Sequence, residues 1–239
     1  MGGQTLNPYG RKKIDTGGSS SGSGVATASN LTAVSIGSET SGSILSPASS
    51  NSLVGMKPTI GSVSRSGIIP ISSTLDTAGP MTKFVVDNII VMNAIMGYDN
   101  NDSSSYKSNP IDLTLIKKSR VENYSLGYYS NFYKNDSLYK KNIDLLKSSG
   151  AKMIEIKQLN IPLTGFRKLL DEDMRIDLVK YFKSYGNKDL LVNDIKSIIE
   201  YNSLDSITRS PYGQGIFRSI INDTLSSSSL KSLKEKLSK

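Results

Sequence analysis

The side chains able to do chemistry in this 239-residue chain are restricted in type. It holds 40 serines but no histidine, no cysteine and no tryptophan. Without His, no Ser-His-Asp triad can form within the chain. Without His or Cys, a zinc ion would rest on carboxylates alone, so no metal site is expected. The lack of Cys excludes a disulfide, a thiol nucleophile and an iron–sulfur cluster. A nucleophile must therefore be Ser, Thr, Lys or a carboxylate, and a base Lys, Asp, Glu or Tyr. Hydroxyls and glycines concentrate in residues 17–47, which read GGSSSGSG, then a short apolar unit, then GSETSGSILSP. Small residues let the backbone turn tightly and let a ligand approach its N–H groups. Successive N–H groups in such a turn can form an anion-binding nest. Beside a Ser hydroxyl, that nest would serve as an oxyanion hole.

Other readings of the same residues stay open at this level. GGSSSGSG alone reads as a flexible linker. As a phosphate loop it is poor: there is no G-K-[ST], and Thr27 stands where the GxGxxG pattern begun by Gly22 and Gly24 needs its last glycine. Matches to S-x-x-K, such as Ser104–Lys107 and Ser228–Lys231, arise by chance in a chain this rich in Ser and Lys.

The elements that must position these loops are legible in part. A helix is expected to start at residues 25–30, followed by a buried strand over 31–36 (LTAVSI). Residues 38–52 read as a polar loop holding Pro47, and 53–56 as a short strand stopped by Pro58. Residues 62–65 suggest a bend and 67–71 a short strand. Over 82–96, apolar residues at 85, 89, 92 and 96 share one helical face, and Gly97 ends the helix. The polar run YDNNDSSSYKSNP (98–110) predicts a loop. Beyond it, 125–129 (SLGYY) and 151–156 (AKMIEI) read as strands around a helix over 136–148, N-capped by Asp136. Helices are expected over 167–184 and 190–201, with an amphipathic Ser/Lys-rich tail over 225–239. Strand–helix–strand order places the chain in the α/β class.

Composition bounds the rest. At 37% hydrophobic residues the chain can bury a core. No run of 18 apolar residues exists, so no membrane span is expected. The start MGGQTLNPYGRKK has no apolar signal-peptide core, and a cytoplasmic location is expected. Of the net +8, about +7 falls in residues 101–239, but its lysines are interspersed with acids at 117–118, 140–141 and 231–239. No aromatic RNA-binding motif accompanies them. The charge therefore reads as a solvated surface rather than a nucleic-acid interface.

The ordered series of motifs resembles the amidase signature family of serine amidohydrolases, closest to its general and peptide amidases. It runs GGQTLNPY, GGSSSGSG, GSETSGSILSP, NSLVGMKPTIGSVSRSGIIPIS and LDTAGPM, then a helix, all within residues 2–97. Weaker similarity continues through SLGYY to PYGQ (211–214). The resemblance implies an α/β fold with a mixed β-sheet core flanked by helices, incomplete at its ends. It implies one domain fragment over 1–239, with a signature core (1–97), a loop (98–110) and an α/β second half (111–239). It also implies hydrolysis of carboxamide C–N bonds in small-molecule or peptide amides, without cofactor, nucleic acid or membrane.

Carried over residue by residue, the nucleophile is Ser43. A second serine, Ser19, follows a cis peptide from Gly18 and relays protons to a neutral lysine. The oxyanion hole is formed by the backbone N–H groups of Thr40, Ser41, Gly42 and Ser43. The family's lysine lies far upstream of the cis-serine. Lys12 and Lys13 are too close to Ser19, and Lys57 belongs to a structural stretch, so no residue of this chain is assigned as the base. The chain therefore reads as truncated at its N-terminus and C-terminus. That leaves two alternatives: an inactive remnant that self-associates, or one part of a split amidase with an upstream fragment supplying the lysine. Leu45 stands where many members have Arg, which disfavours an acidic, malonamate-like substrate. Asp76 reads as a structural acceptor rather than an acid catalyst. Met174, Tyr181 and Phe182 read as core or surface before pocket.

Overall fold

In the computed structural model the described residues are 3–157, 163–189 and 191–237. They form two compact units, one of residues 1–111 with 164–239 and the other of 112–163. The α/β class is as expected.

The larger unit opens with α1 (Ser21–Ala28), which begins inside the first Gly/Ser segment. Small side chains are no obstacle to a helix once its apolar face has a sheet to cover, and Gly24, Thr27 and Ala28 are buried. The next strand, β1, spans Ser35–Glu39, later than the 31–36 expected. Asn30 takes a left-handed conformation and Leu31 stands 80% exposed. The apolar run there belongs to the turn that reverses the chain. Within residues 38–52 a helix, α2 (Leu45–Ser50), replaces the expected loop. Pro47 lies in its first turn, where a missing N–H breaks no intrahelical bond. The short β2 (Val54–Gly55) follows.

The centre of the sheet is β3 (Thr77–Thr82), buried at every position. It lies between β1 and β2 and is antiparallel to both. Gly79 and Pro80 in TAGPMT argue against a central strand, and none is predicted there. The fold needs Gly79 and accommodates Pro80. A Cβ on Gly79 would sit 2.0 Å from the Met56 carbonyl oxygen. Pro80 still accepts a bond from the Met56 N–H (3.1 Å). The expected strand over 67–71 is irregular, because residues 71 and 72 give their N–H groups to a carboxylate rather than to a neighbouring strand. The helix α3 (Val85–Ile95) ends before Gly97 as predicted. Ile44, Ala48 and Met81 form a small apolar cluster beneath the sheet, and Val63, Ala78 and Met92 form another.

The smaller unit contains α4 (Thr114–Lys118), a 3-10 turn (Val121–Asn123), β4 (Ser125–Tyr129), α5 (Ser130–Asn135), α6 (Ser137–Ser148) and β5 (Lys152–Ile156). β4 and β5 pair in parallel, as a strand–helix–strand crossover requires. The predicted N-cap is present: the Asp136 carboxylate accepts from the Tyr139 N–H (2.9 Å).

The larger unit closes with α7 (Phe166–Tyr185), α8 (Ile195–Ser203), α9 (Ser206–Arg209), α10 (Gly215–Asn222) and α11 (Ser227–Leu237). Leu178, Ile195, Ile199 and Ile220 join three of these helices in an apolar core. Ser238 and Lys239 of the expected tail, and Leu190 of the expected 190–201 helix, lie outside the described residues.

Candidate active site

Two polypeptide segments distant in sequence are stitched together here. The Ser20 N–H donates to the Ser43 carbonyl (3.1 Å). The Ser20 hydroxyl donates to the Ser38 carbonyl (3.1 Å) and accepts from the Ser38 N–H (3.2 Å). The first Gly/Ser segment is thereby held on the end of β1, where the second begins. The peptide between Gly18 and Ser19 is cis. Ser19, Ser38, Glu39, Thr40, Ser43, Ile68, Ile69, Ile71 and Asp76 line one small cavity of about 20 Å³. Of the residues singled out from sequence, Ser19, Thr40 and Ser43 thus share one cavity. Ser41 and Gly42 lie on the same loop but outside its lining.

The loop leading to Ser43 is held by two carboxylates. Glu39 is 3% exposed. Its Oε2 accepts from the N–H groups of Ile44 (2.8 Å) and Leu45 (2.9 Å), at the start of α2. Its Oε1 lies 3.6 Å from the Lys57 ammonium, which also donates to the Thr40 carbonyl (2.7 Å). Burial pushes the Glu39 carboxyl up. The Leu45 and Ile44 N–H groups, a smaller contribution from Gly42 and the charge of Lys57 together outweigh it, so the group stays below its ordinary value. Glu39 and Lys57 therefore clamp both ends of the segment 40–43. Gly42 has φ +89°, open to glycine at little cost and strained for other residues. Among the described residues, the N–H groups of Ser41 and Ser43 have no hydrogen-bond acceptor.

The second carboxylate, Asp76, accepts from the Thr40 hydroxyl (2.5 Å) and from the N–H groups of Ile71 and Ser72 (2.8 Å each). Its oxygens are occupied by structural donors, as the sequence reading expects. The segment 71–73 is fastened in turn to α7. Ser72 donates its hydroxyl to Asp173 (2.6 Å), and the Ser73 N–H donates to Asp177 (2.8 Å). Asp173 also pairs with Lys234 (2.7 Å). Burial raises the Asp173 carboxyl, but Lys234 and the hydroxyls of Ser72 and Thr74 hold it below the usual range.

Sequence reasoning misses three of these supports. Glu39 sits inside a motif whose serines and glycines draw the reading. Asp173 and Asp177 look like ordinary solvated helix charges, and no local signal marks them as buried. Ile71 reads as the end of a strand, whereas it forms a wall of the cavity.

The fold and this constellation fit one protein class. The amidase family model matches residues 1–210, and the chain belongs to that family. It is 39% identical over 158 residues to the A subunit of glutamyl-tRNA(Gln) amidotransferase from Thermoanaerobacter pseudethanolicus, covering 64% of this chain and 32% of that protein. It is 37% identical over 211 residues to a probable amidase of Arabidopsis thaliana, covering 83% of this chain and 40% of that one. Among solved structures, an amidase family protein from Bacillus anthracis superposes with a TM-score of 0.89 at 32% identity, over 98% of this chain and 48% of that chain. The peptide amidase of Stenotrophomonas maltophilia gives 0.83 at 31%, over 98% and 50%. The chain thus spans between a third and a half of the length of these relatives. Among the described residues, no helix is long and apolar enough to cross a membrane.

Proposed function

We propose that this chain carries the nucleophile half of an amidase site that hydrolyses the C–N bond of linear carboxamides. The observation that carries the reading is the convergence of Ser19, Ser43 and Thr40 on one cavity, beside a loop with unpaired N–H groups. Ser43 is the nucleophile: its hydroxyl oxygen bonds to the amide carbon as its proton passes to Ser19. The N–H groups of Thr40, Ser41, Gly42 and Ser43 are assigned to the resulting oxyanion; those of Ser41 and Ser43 are free of competing acceptors, whereas that of Gly42 also leans on the Glu39 carboxylate. Ser19 passes a proton to the departing nitrogen, and ammonia leaves. Water then attacks the acyl-serine ester, releasing the carboxylate and restoring the Ser43 hydroxyl.

A serine hydroxyl needs a base to take its proton. Among the described residues no lysine lines the cavity, and Lys57 is engaged with Glu39 and Thr40. The reading therefore assigns no described residue as the base and takes it to be a lysine brought to the cavity by an upstream fragment. The likeness to a peptide amidase supports small or peptidyl amides as the substrate class.

The test is intact mass after incubation with a fluorophosphonate, on this chain and on Ser43→Ala. An adduct on the parent that falls by on the order of 10³-fold in the variant supports the assignment. An adduct that persists in Ser43→Ala, or none even after the upstream segment of a full-length relative is added in trans, overturns it.

A further inference from the structure

The serine loop is tied to the distant helix α11 by an unbroken run of hydrogen bonds and one ion pair. Thr40, at the start of the loop that carries Ser43, gives its hydroxyl to Asp76 Oδ1 (2.5 Å). Asp76 Oδ2 accepts the N–H groups of Ile71 and Ser72 (2.8 Å each). The Ser72 hydroxyl donates to Asp173 Oδ2 (2.6 Å), and Asp173 Oδ1 pairs with the Lys234 ammonium (2.7 Å). Thr40, Ile71 and Asp76 all line the cavity of Ser19 and Ser43. Thr40, Ser72, Asp76 and Asp173 are buried, and only the last member of the run, Lys234, reaches the surface.

Asp173 differs from the other acids of α7. Asp171 pairs with Arg167, Glu172 with Lys168 and Arg175, and Asp177 with Lys180, each cation standing three or four residues away on the same helix. Such partners are supplied by the helix itself, wherever the rest of the chain goes. The cation on Asp173 comes from α11 instead. That helix is seated closely on α7: a Cβ on Gly165, at the α7 N-terminus, would come within 2.6 Å of Leu233. A carboxylate only 2% exposed is costly to leave uncompensated. With Lys234 withdrawn, Asp173 must take a proton or turn toward water. Either change weakens its charge-assisted hold on the Ser72 hydroxyl. The Ser73 N–H keeps its separate bond to Asp177, so the segment 71–73 would loosen rather than detach.

We infer that Lys234 is a positioning residue for the reactive loop, and that α11 is a latch that fixes the loop of Thr40 and Ser43 beside Ser19 through Asp173, Ser72 and Asp76. The inference rests on the reaction assigned to Ser43, but it is read first by hydrogen exchange and not by reactivity. Amide exchange is followed residue by residue by NMR on the 239-residue chain. Lys234→Met keeps the aliphatic stem and removes the charge. It is expected to speed exchange at Ile71 and Ser72 by on the order of tenfold, with the Ile199 amide in the α8 core unchanged. Lys234→Arg is expected to keep the parent rates. In Asp173→Asn the Ser72 hydroxyl still finds an oxygen acceptor, but no buried charge awaits a partner, so adding Lys234→Met there should change nothing further. Fluorophosphonate labelling of Ser43, with the upstream segment of a full-length relative added, is expected to slow by about tenfold in Lys234→Met and to recover in Lys234→Arg.

Exchange at Ile71 and Ser72 that Lys234→Met leaves unchanged overturns the inference. So does an acceleration shared equally by Ile199, which marks a general loss of stability. An effect of Lys234→Met that is as large in Asp173→Asn, or that also appears in Lys234→Arg, overturns it too. A Ser43 adduct that forms at the parent rate in Lys234→Met overturns the positioning role and leaves the serine assignment standing. Faster exchange in the expected pattern, with no Ser43 adduct on the parent, supports the link from α11 to the loop and overturns the reaction assigned to that loop.

Discussion

The loops around Ser19 and Ser43 and the helices α7, α8 and α10 belong to one compact unit but are held by different forces. The loops are short of apolar side chains: Ile44, Ala48 and Met81 form the buried cluster beneath them. Their shape comes from polar groups instead, with Glu39 and Asp76 each accepting several donors, as Asp102 does for the separate loop at Arg65. The helices invert this. Leu178, Ile195, Ile199 and Ile220 give them a packed apolar core. The difference teaches a division of labour. Hydrogen bonds are directional, so they can fix a loop at a set distance from a reacting hydroxyl. Apolar burial is non-directional, so it supplies stability without choosing a geometry.

The comparison breaks first if the apolar core proves dispensable. Leu178→Ala is expected to cost about 3 kcal/mol in a urea melt, with fluorophosphonate labelling of Ser43 unchanged per folded molecule. A loss of labelling in excess of the unfolded fraction would show that the core also sets loop geometry.

A smaller effect concerns the Arg65–Asp102 pair. Two contacts of 3.0 and 3.1 Å join the guanidinium to the carboxylate, which also accepts the Arg65 N–H. Arg65 holds the Asp102 carboxyl down to about 2, from an ordinary value of 3.8. A depressed carboxyl contributes its full stability above the unfolded value and loses it as the pH falls through the folded one. About 2 kcal/mol should therefore be present above pH 4 and disappear progressively toward pH 2. Chemical denaturation at stepped pH would follow it, and Asp102→Asn should flatten that part of the profile.

Glu39→Gln sharpens the distinction from the other side. The amide oxygen can still accept from Ile44 and Leu45, but its charge against Lys57 is gone. The expected stability loss is only about 1 kcal/mol, while the Ser43 labelling rate falls by about tenfold as the loop loosens. Equal losses in stability and labelling would make Glu39 a stability residue alone. The smallest effect is expected on the smaller unit, where Lys140 and Asp144 pair at 2.8 Å on an exposed helix face. Lys140→Ala should leave the urea midpoint unmoved within error, because water screens such pairs.

Much of this molecule can be read from sequence because its signals are local. The strand Ser125–Tyr129, the cap at Asp136 and the end of α3 before Gly97 depend on neighbours within a few residues, and they appear where periodicity and capping rules place them. The expectation of a cis bond before Ser19 comes from the family resemblance, and the structure has one there. The central strand through Gly79 and Pro80 is not legible, because local propensity opposes it and only close packing against Met56 calls for it. Nor are the roles of Asp173 and Asp177, whose partners Ser72 and Ser73 lie about a hundred residues away.

By itself, then, the sequence determined the chemistry within reach: serine hydroxyls and backbone N–H groups, with no imidazole or thiol. It also determined the order of motifs that marks the family. Only the tertiary structure decided that Ser19 and Ser43 face one cavity, that Glu39 and Lys57 clamp the loop between them, and that Ile71 walls that cavity. Composition and motif order are written along the chain, whereas a shared wall requires segments far apart in sequence to meet, and long-range packing alone sets where they do.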